Sequence, residues 1–253
     1  MAAQPAKAVV AAEPSTTDNL ISIIIPVLND VEALKSLLPN LQNDRLLGHE
    51  VLLVDGGSTD GSVPYASAFV DRVLMTGTGR GRQMNLGAEE SQNPILLFLH
   101  ADSQLPENTL NSIINVLDDS ARHWGRFNIA LDAKGFIYKI IANMMNLRSR
   151  MTGVATGDQG IFVRRNIFHE AGGFEPISLM EDIALSKALR KSSWPACLSI
   201  KITTSARRWQ QQGVMKTILQ MWVLRFAYFI GIKPDKLADF YKPTENPVRK
   251  SRG

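Results

Sequence analysis

At 253 residues, with 45% hydrophobic and 21% charged side chains, the chain can build one large α/β domain or two small ones and has ample core material. Its net charge of +4, from 28 basic against 24 acidic residues, suits an anionic small molecule or a membrane surface and is too mild to argue for nucleic acid. The single cysteine, Cys197, excludes an intrachain disulfide and fits a reducing, cytoplasmic compartment.

Residues 1–19 are rich in Ala, Pro, Ser and Thr and show no hydrophobic period, so they read as a disordered leader. Leu20–Pro26 is an apolar run that reads as a first strand, ended by Pro26. Asn29 or Asp30 can cap the helix that follows, in which Leu34, Leu37, Leu38 and Leu41 recur at helical spacing. Glu50–Asp55 is a second strand running into an acid, followed by the turn Gly56-Gly-Ser-Thr-Asp-Gly61. Phe69–Met75 reads as a third strand, and the glycine-rich turn Gly77-Thr-Gly-Arg-Gly-Arg82 leads into a helix through Ser91. The fourth strand, Ile95–Leu99, is apolar throughout and stops at His100 and Asp102. Such a run fits a strand buried on both faces, and a helix is expected over 107–118. Four alternations of strand and helix predict a mostly parallel sheet covered on both sides.

The second half is less regular. Arg126–Leu131 reads as a strand, and Phe136–Arg150 as a helix whose core side carries Ile137, Ile140, Ile141, Met144 and Met145. Gly157-Asp-Gln-Gly160 precedes the strand Ile161–Val163, Gly172-Gly-Phe174 is a turn, and Glu181-Asp182 open a helix that ends near Lys191. Leu198–Ile202 is a last strand, with Cys197 at its buried start, followed by Arg207-Arg-Trp209. The apolar stretch 214–232 is interrupted by Lys216, Gln220 and Arg225, so it fits an interfacial helix or a packed C-terminal helix better than a membrane span. Residues 243–253 read as a disordered basic tail. With no internal repeat and no linker, residues 20–242 are expected to form one domain.

Acids at strand ends are the main chemical signal. Asp55 and Asp102 fall at the carboxyl edge of the predicted sheet, where open α/β folds bind ligands. One can accept hydrogen bonds from a nucleoside while the other holds Mg²⁺ or Mn²⁺ against a diphosphate, because these hard cations share their oxygen ligands with substrate phosphates. The glycine turn with Arg80 and Arg82 suits a phosphate or a base edge. Glu181-Asp182 at a helix start are expected to be held ionised by the helix dipole and to be available as a base.

Seven ordered blocks carry a resemblance. They are Ile24–Asn29, Val54–Gly61, Gly79–Asn85, Leu97–Asp102, Gly157–Arg164, Gly172–Phe174 and Met180–Leu185. In this order the chain resembles family 2 glycosyltransferases of the GT-A fold, and is most similar to the short bacterial transferases associated with radical-SAM and selenium-domain proteins. The resemblance implies a nucleotide-sugar donor and a non-processive, inverting, metal-dependent transfer to an acceptor hydroxyl. It implies that Pro26, Val27, Leu28, Asn29 and Asp55 line the nucleoside pocket, with Arg80, Gly81 and His100 at the base or diphosphate. It implies that Asp102 holds a divalent cation, Mn²⁺ or Mg²⁺, and that Asp182 with Glu181 supplies the base. Asp158 and Gln159, with Arg208 and Trp209, would face the sugar or acceptor. Two positions depart from the family pattern. Ser205 stands where the Gln-x-x-Arg-Trp motif has Gln, which argues against a processive polymerase, and His100 replaces the first Asp of Asp-x-Asp.

Two other readings fit parts of the chain. Asp102 follows the glycine turn by about 20 residues, as in a nicotinamide-dependent oxidoreductase, though the turn follows the third strand and not the first. Alternatively, residues 214–232, with Trp222, Phe226, Tyr228 and Phe229 beside Lys216 and Arg225, would make a non-catalytic membrane-surface module. A lipid-linked acceptor reconciles this with the transferase reading and would place the protein at the cytoplasmic face of the membrane.

Overall fold

The computed structural model describes residues 19–119 and 121–241. The expected leader, but for its last residue, and the expected basic tail lie outside the described residues. In chain order the elements are β1 (Ile21–Val27), α1 (Val31–Leu37), α2 (Gln42–Leu46), β2 (Glu50–Asp55), α3 (Ser62–Ala66), β3 (Arg72–Met75), α4 (Arg80–Glu90) and β4 (Ile95–Phe98). They continue with β5 (Ser103–Gln104), α5 (Thr109–Leu117), β6 (Trp124–Asp132), α6 (Phe136–Thr152), β7 (Ile161–Arg164), α7 (Arg165–Glu170), α8 (Glu181–Leu189) and β8 (Ala196–Ser205). The last three are α9 (Arg207–Gln212), α10 (Val214–Phe229) and α11 (Pro234–Phe240).

Among the described residues, eight strands form one mixed sheet in the order β3-β2-β1-β4-β7-β6-β8-β5. The first-half strands β1 to β4 pair in parallel, as their alternation with helices predicts. β7 returns antiparallel beside β4, and β6 pairs antiparallel with β7 and parallel with β8. This α/β architecture agrees with the helix-flanked sheet expected from the GT-A resemblance. All seven residues of β1 are buried because the strand is central and covered on both faces. Ile21, Ile23, Ile25 and Val27 join the core beneath α1 and α5, with Leu34, Leu37, Leu38 and Leu41. Ile24 points to the opposite core, with Met84 of α4, Phe98, Phe168, Phe174 and Leu185. Gly87 allows α4 to lie flush on the sheet, since a Cβ there would run into Ile24.

Pro26 does not end β1; it lies inside it, paired in register with Val54. The Leu99 N–H donates to the Ile24 carbonyl, so Ile24 and Pro26 face the β4 side. β4 pairs no further than Ile24, and the donor that proline lacks therefore has no partner to miss. Helix α1 takes its cap from neither Asn29 nor Asp30: the Val31 N–H donates to Asp60 Oδ2 at 3.0 Å, from a residue 29 positions away. The glycine turn of residues 77–81 follows β3 at the sheet edge, away from the central position a dinucleotide fold would use.

Helix α6 departs most from expectation. Ile141 is buried and Met145 is half-buried, but Ile137, Ile140 and Met144 are exposed. Polar anchors hold the helix instead. Asn146 accepts from the Ile129 N–H at 2.9 Å and donates to the Ile129 carbonyl at 3.1 Å. The fully buried Arg126 donates to the Asn146 carbonyl at 3.0 Å. Cys197 is half-buried within β8.

Candidate active site

The loops after β1 and β2 are tied into one wall. The Asn29 N–H donates to Ser58 Oγ at 2.8 Å, and Asn29 Oδ1 accepts from the Thr59 N–H at 2.7 Å. Asn29 holds φ of 53°, a left-handed conformation that asparagine tolerates. Asp55 is fully buried; its Oδ2 accepts from the Gly57 and Ser58 N–H groups, and its Oδ1 has no hydrogen-bond partner. A buried carboxylate oxygen without a donor suits a ligand N–H or hydroxyl. Pro26 and Val27 are buried beneath this wall and Leu28 is exposed. Gln83 of α4 ties the strand ends together by donating to the carbonyls of Val27 and Val54, both at 2.8 Å.

Helix α4 also joins the two halves of the chain. Asn85 donates to the Phe174 carbonyl at 2.8 Å and accepts from the Phe174 N–H at 2.9 Å. Gly81 is buried here: a Cβ on it would sit 2.9 Å from the Glu175 carbonyl oxygen and 3.6 Å from the Glu181 Cβ. Its glycine is thus explained by this close approach of the turn and of α8. The approach brings Arg80 to the acids of the second half. Arg80 keeps an exposed side chain, yet protein surrounds its charge. That crowding would lower its pKa, but Tyr241, Glu181, Asp158 and Asp102 outweigh it and raise the guanidinium above its ordinary value.

His100, Glu181 and Asp182 line one cavity with Met84, Phe98, Gly157, Ile161 and Phe174. His100 is buried, its Nδ1 lies 3.3 Å from Asp158 Oδ1, and a Cβ on Gly157 would collide with its ring. Burial would raise the Asp158 pKa; the hydrogen bond and charge of His100, with Arg80 and Arg208, bring it below the usual range. Gln159 is fully buried, and its Oε1 accepts from the Thr156 N–H at 3.1 Å in a capping box around the 3₁₀ turn Gly157–Gln159. Asp182 Oδ2 accepts from the Gly157 N–H at 2.9 Å. The expectation that the helix dipole keeps the α8 pair ionised fails for Glu181. Burial first, then the charge of Asp182, push its pKa up to about 7.

Asp102 is half-buried and borders a second cavity with Glu32, Asp132, Thr203 and Arg207. Burial, with Asp158 and Asp30, raises its pKa against the lowering effects of His100 and Arg80. Among the described residues there is no group of three or more His, Cys, Asp or Glu side chains able to cage a metal. The donor set nevertheless fits a cation that brings most of its oxygens from substrate phosphates, because one carboxylate is then enough. Arg207 lies 3.5 Å from Asp30 and links α9 to the loop after β1. Trp209 is half-buried, and the Arg208 guanidinium stacks 3.9 Å from the Tyr241 ring.

The sequence reading gave no role to Gln83 and Asn85, although both stand in a block it singled out. It also passed over Tyr241 and Arg148, and it read Arg225 only as a cation of an interfacial helix, whereas the charge of Asp182 reaches both arginines. The available signal was a charge interrupting an otherwise apolar helix.

Residues 22–171 match the model of the family described as glycosyl transferase family 2. A Yersinia pestis undecaprenyl-phosphate 4-deoxy-4-formamido-L-arabinose transferase is 27% identical over 178 residues, covering 62% of this chain and 54% of the relative. A Mycobacterium bovis PGL/p-HBAD biosynthesis glycosyltransferase is 36% identical over 95 residues, covering 35% of this chain and 37% of the relative. The chain thus spans about half the length, or less, of these curated relatives. Staphylococcus aureus TarS in complex with UDP-GlcNAc superposes with a TM-score of 0.60 at 20% identity, over 74% of this chain and 58% of that one. The mannosyltransferase PcManGT from Pyrobaculum calidifontis, in complex with GDP-Man and Mn²⁺, gives 0.57 at 15% identity, over 91% of this chain and 67% of that one. The chain belongs to glycosyl transferase family 2.

Proposed function

We propose that this family 2 chain transfers a sugar from a nucleoside-diphosphate donor to an acceptor hydroxyl with inversion, in single, non-processive steps. The observation that carries the reading is the meeting of the two halves of the chain at one cavity, which His100 lines with Glu181 and Asp182, and where His100 Nδ1 lies 3.3 Å from Asp158 Oδ1. Asp55, with its unpartnered Oδ1, and the loop of Pro26–Asn29 would receive the nucleoside. Arg80 and Arg208 would face the diphosphate. Asp102 would hold a divalent cation, which supplies charge neutralisation to the leaving diphosphate when bound.

The acceptor oxygen attacks the anomeric carbon on the face opposite the diphosphate. The bond from that carbon to the diphosphate oxygen breaks, and the nucleoside diphosphate leaves with the electron pair. Asp182 takes the acceptor proton, and the Gly157 N–H fixes the orientation of its carboxylate. Glu181, with its pKa pushed up to about 7, holds its proton below neutral pH and is then not available as the base. The Yersinia relative's name, with its lipid phosphate, supports a lipid-linked acceptor met at the membrane surface. No helix among the described residues is long and apolar enough to cross a membrane.

The test is a transfer assay over a panel of nucleotide sugars with Mn²⁺, paired with donor-binding titrations. Asp182→Asn should bind donor as the wild type does and lose turnover by about 10²-fold or more; full turnover would remove Asp182 as base. Asp102→Ala should weaken nucleotide-sugar binding only when Mn²⁺ is present. The same titration curve as wild type would remove Asp102 as the cation ligand.

A further inference from the structure

His100 has no task in the transfer as described. It stands in place of the first Asp of Asp-x-Asp, two residues before Asp102. An imidazole there adds little to a Mg²⁺ or Mn²⁺ site, since these hard cations take oxygen ligands. The side chain is instead buried, and it lines a cavity with Glu181 and Asp182 of α8.

The ring is held from two sides. Its Nδ1 lies 3.3 Å from Asp158 Oδ1. Its Nε2 and Cε1 lie against Gly157, where a Cβ would run into both atoms. Gly157 does not hold a left-handed φ, so its backbone would accept another residue; the ring is what forbids one. A neutral imidazole carries one proton on its two nitrogens, and the partner of one nitrogen decides which. The Asp158 carboxylate favours the proton on Nδ1, which leaves Nε2 as an acceptor. Among the described residues nothing donates to Nε2.

The cavity beside this ring is a recess of about 10 Å³, which has room for one water or one hydroxyl and not for a sugar ring. Its apolar wall is firm, because Phe98 and Phe174 are buried and meet edge to face at 4.9 Å. Its bounds indicate whose hydroxyl it takes. In a displacement with inversion the sugar lies between the leaving diphosphate and the base. The recess is bounded by His100, two residues from Asp102, and by Asp182.

We propose that His100 is a specificity-determining residue for the donor: its Nε2 accepts from one hydroxyl of the transferred sugar, which enters this recess while the ring of the sugar stays outside. Asp158 acts through His100 as a positioning residue. The recess admits a sugar with a free hydroxyl at that position and rejects one in which that hydroxyl is missing or substituted. This rests on the donor reading above and adds to it the feature of the sugar that is recognised.

Calorimetric titration of the full chain with Mn²⁺ tests it. The probes are UDP-glucose and GDP-mannose, their single deoxy and O-methyl analogues, and bare UDP and GDP. Loss of one particular hydroxyl should weaken wild-type binding by about tenfold, the scale of one buried hydrogen bond, and its methylation should do so too. His100→Asn keeps an N–H where Nδ1 stands and has nothing at Nε2. It should bind the parent sugar as weakly as the wild type binds the deoxy analogue, and lose nothing further with that analogue. Its affinity for the bare diphosphate should match that of the wild type. Asp158→Ala should weaken the same contact, and Asp158→Asn, whose amide oxygen can still accept from Nδ1, should restore it. If no hydroxyl is felt by the wild type and ignored by His100→Asn, the recess is overturned, and retained diphosphate binding shows that the donor reading stands. Weaker diphosphate binding by His100→Asn would place the ring at the diphosphate and overturn the proposal as well. Wild-type binding of neither diphosphate would remove the donor reading and the recess with it. Melting transitions check that the variants fold. If His100→Asn does not, nitrogen NMR of the wild-type imidazole decides: the parent sugar, and not the bare diphosphate, should move the His100 Nε2 signal, and an unmoved signal overturns the proposal.

Discussion

Glu181 and Asp182 are sequence neighbours in unequal surroundings. Asp182 is oriented by the Gly157 N–H, whereas Glu181 is buried against it and protonates more easily, with a pKa of about 7 against an ordinary 4.5. Because the folded-state value is the higher one, the fold favours the protonated acid. That stabilisation is fully present below about pH 4.5 and is lost as pH rises through about 7. Glu181→Gln is neutral at every pH and should remove this slope. The stability of the wild type relative to the variant should fall between pH 4.5 and 7 by up to about 3 kcal/mol, then level off. Denaturant midpoints for both proteins across that range would measure it, and parallel curves would place the Glu181 proton elsewhere.

At the scale of elements, α4 does the joining, and it does so through side chains. Asn85 satisfies both backbone groups of Phe174, so Asn85→Ala should leave two partly buried groups unpaired, at a cost of about 2 kcal/mol. With the turn released, the α8 acids lose their seat against Gly81. The donor KM should rise severalfold as the melting temperature falls; an unchanged melting temperature would show that the turn holds without α4. The same elements show what the sequence made legible. β1, β2 and β4 could be read directly, because burial on both faces makes a central strand uniformly apolar. The acids Asp55, Asp102 and Asp182 could be read because each sits at an element boundary within a local motif. The cap of α1 could not, because Asp60 reaches it from a distant loop. Nor could the packed side of α6, because a helical period shows that a stripe exists and not whether the stripe is covered. There the polar anchors Arg126 and Asn146 replace the apolar contact that the pattern predicts. Arg148 escaped for a related reason: a charge on a helix acquires meaning only when the fold brings an opposite charge within reach.

At the scale of the whole molecule, the acid cluster sits between cores of different size. The sheet is flanked by two large cores, whereas a separate small cluster of Met180, Ile183, Leu224 and Leu237 packs α10 and α11 against the start of α8. This cluster carries Arg225 to Asp182, while Tyr241, packed at its edge, reaches Arg80 and Arg208. Few buried apolar residues hold these helices, and such a unit opens at lower free energy than the sheet. Backbone amides of α10 and α11 should therefore exchange with solvent well before those of β1, β2 and β4. Leu224→Ala should remove about 2–5 kcal/mol of packing from this cluster alone. Exchange in α10 and α11 should then accelerate strongly while the central strands keep their protection, and acceptor-dependent turnover should fall by more than donor binding. Hydrogen exchange read peptide by peptide by mass spectrometry would distinguish this from global destabilisation, in which β1 and α10 would accelerate by the same factor and the C-terminal helices would prove to be part of the main cooperative unit.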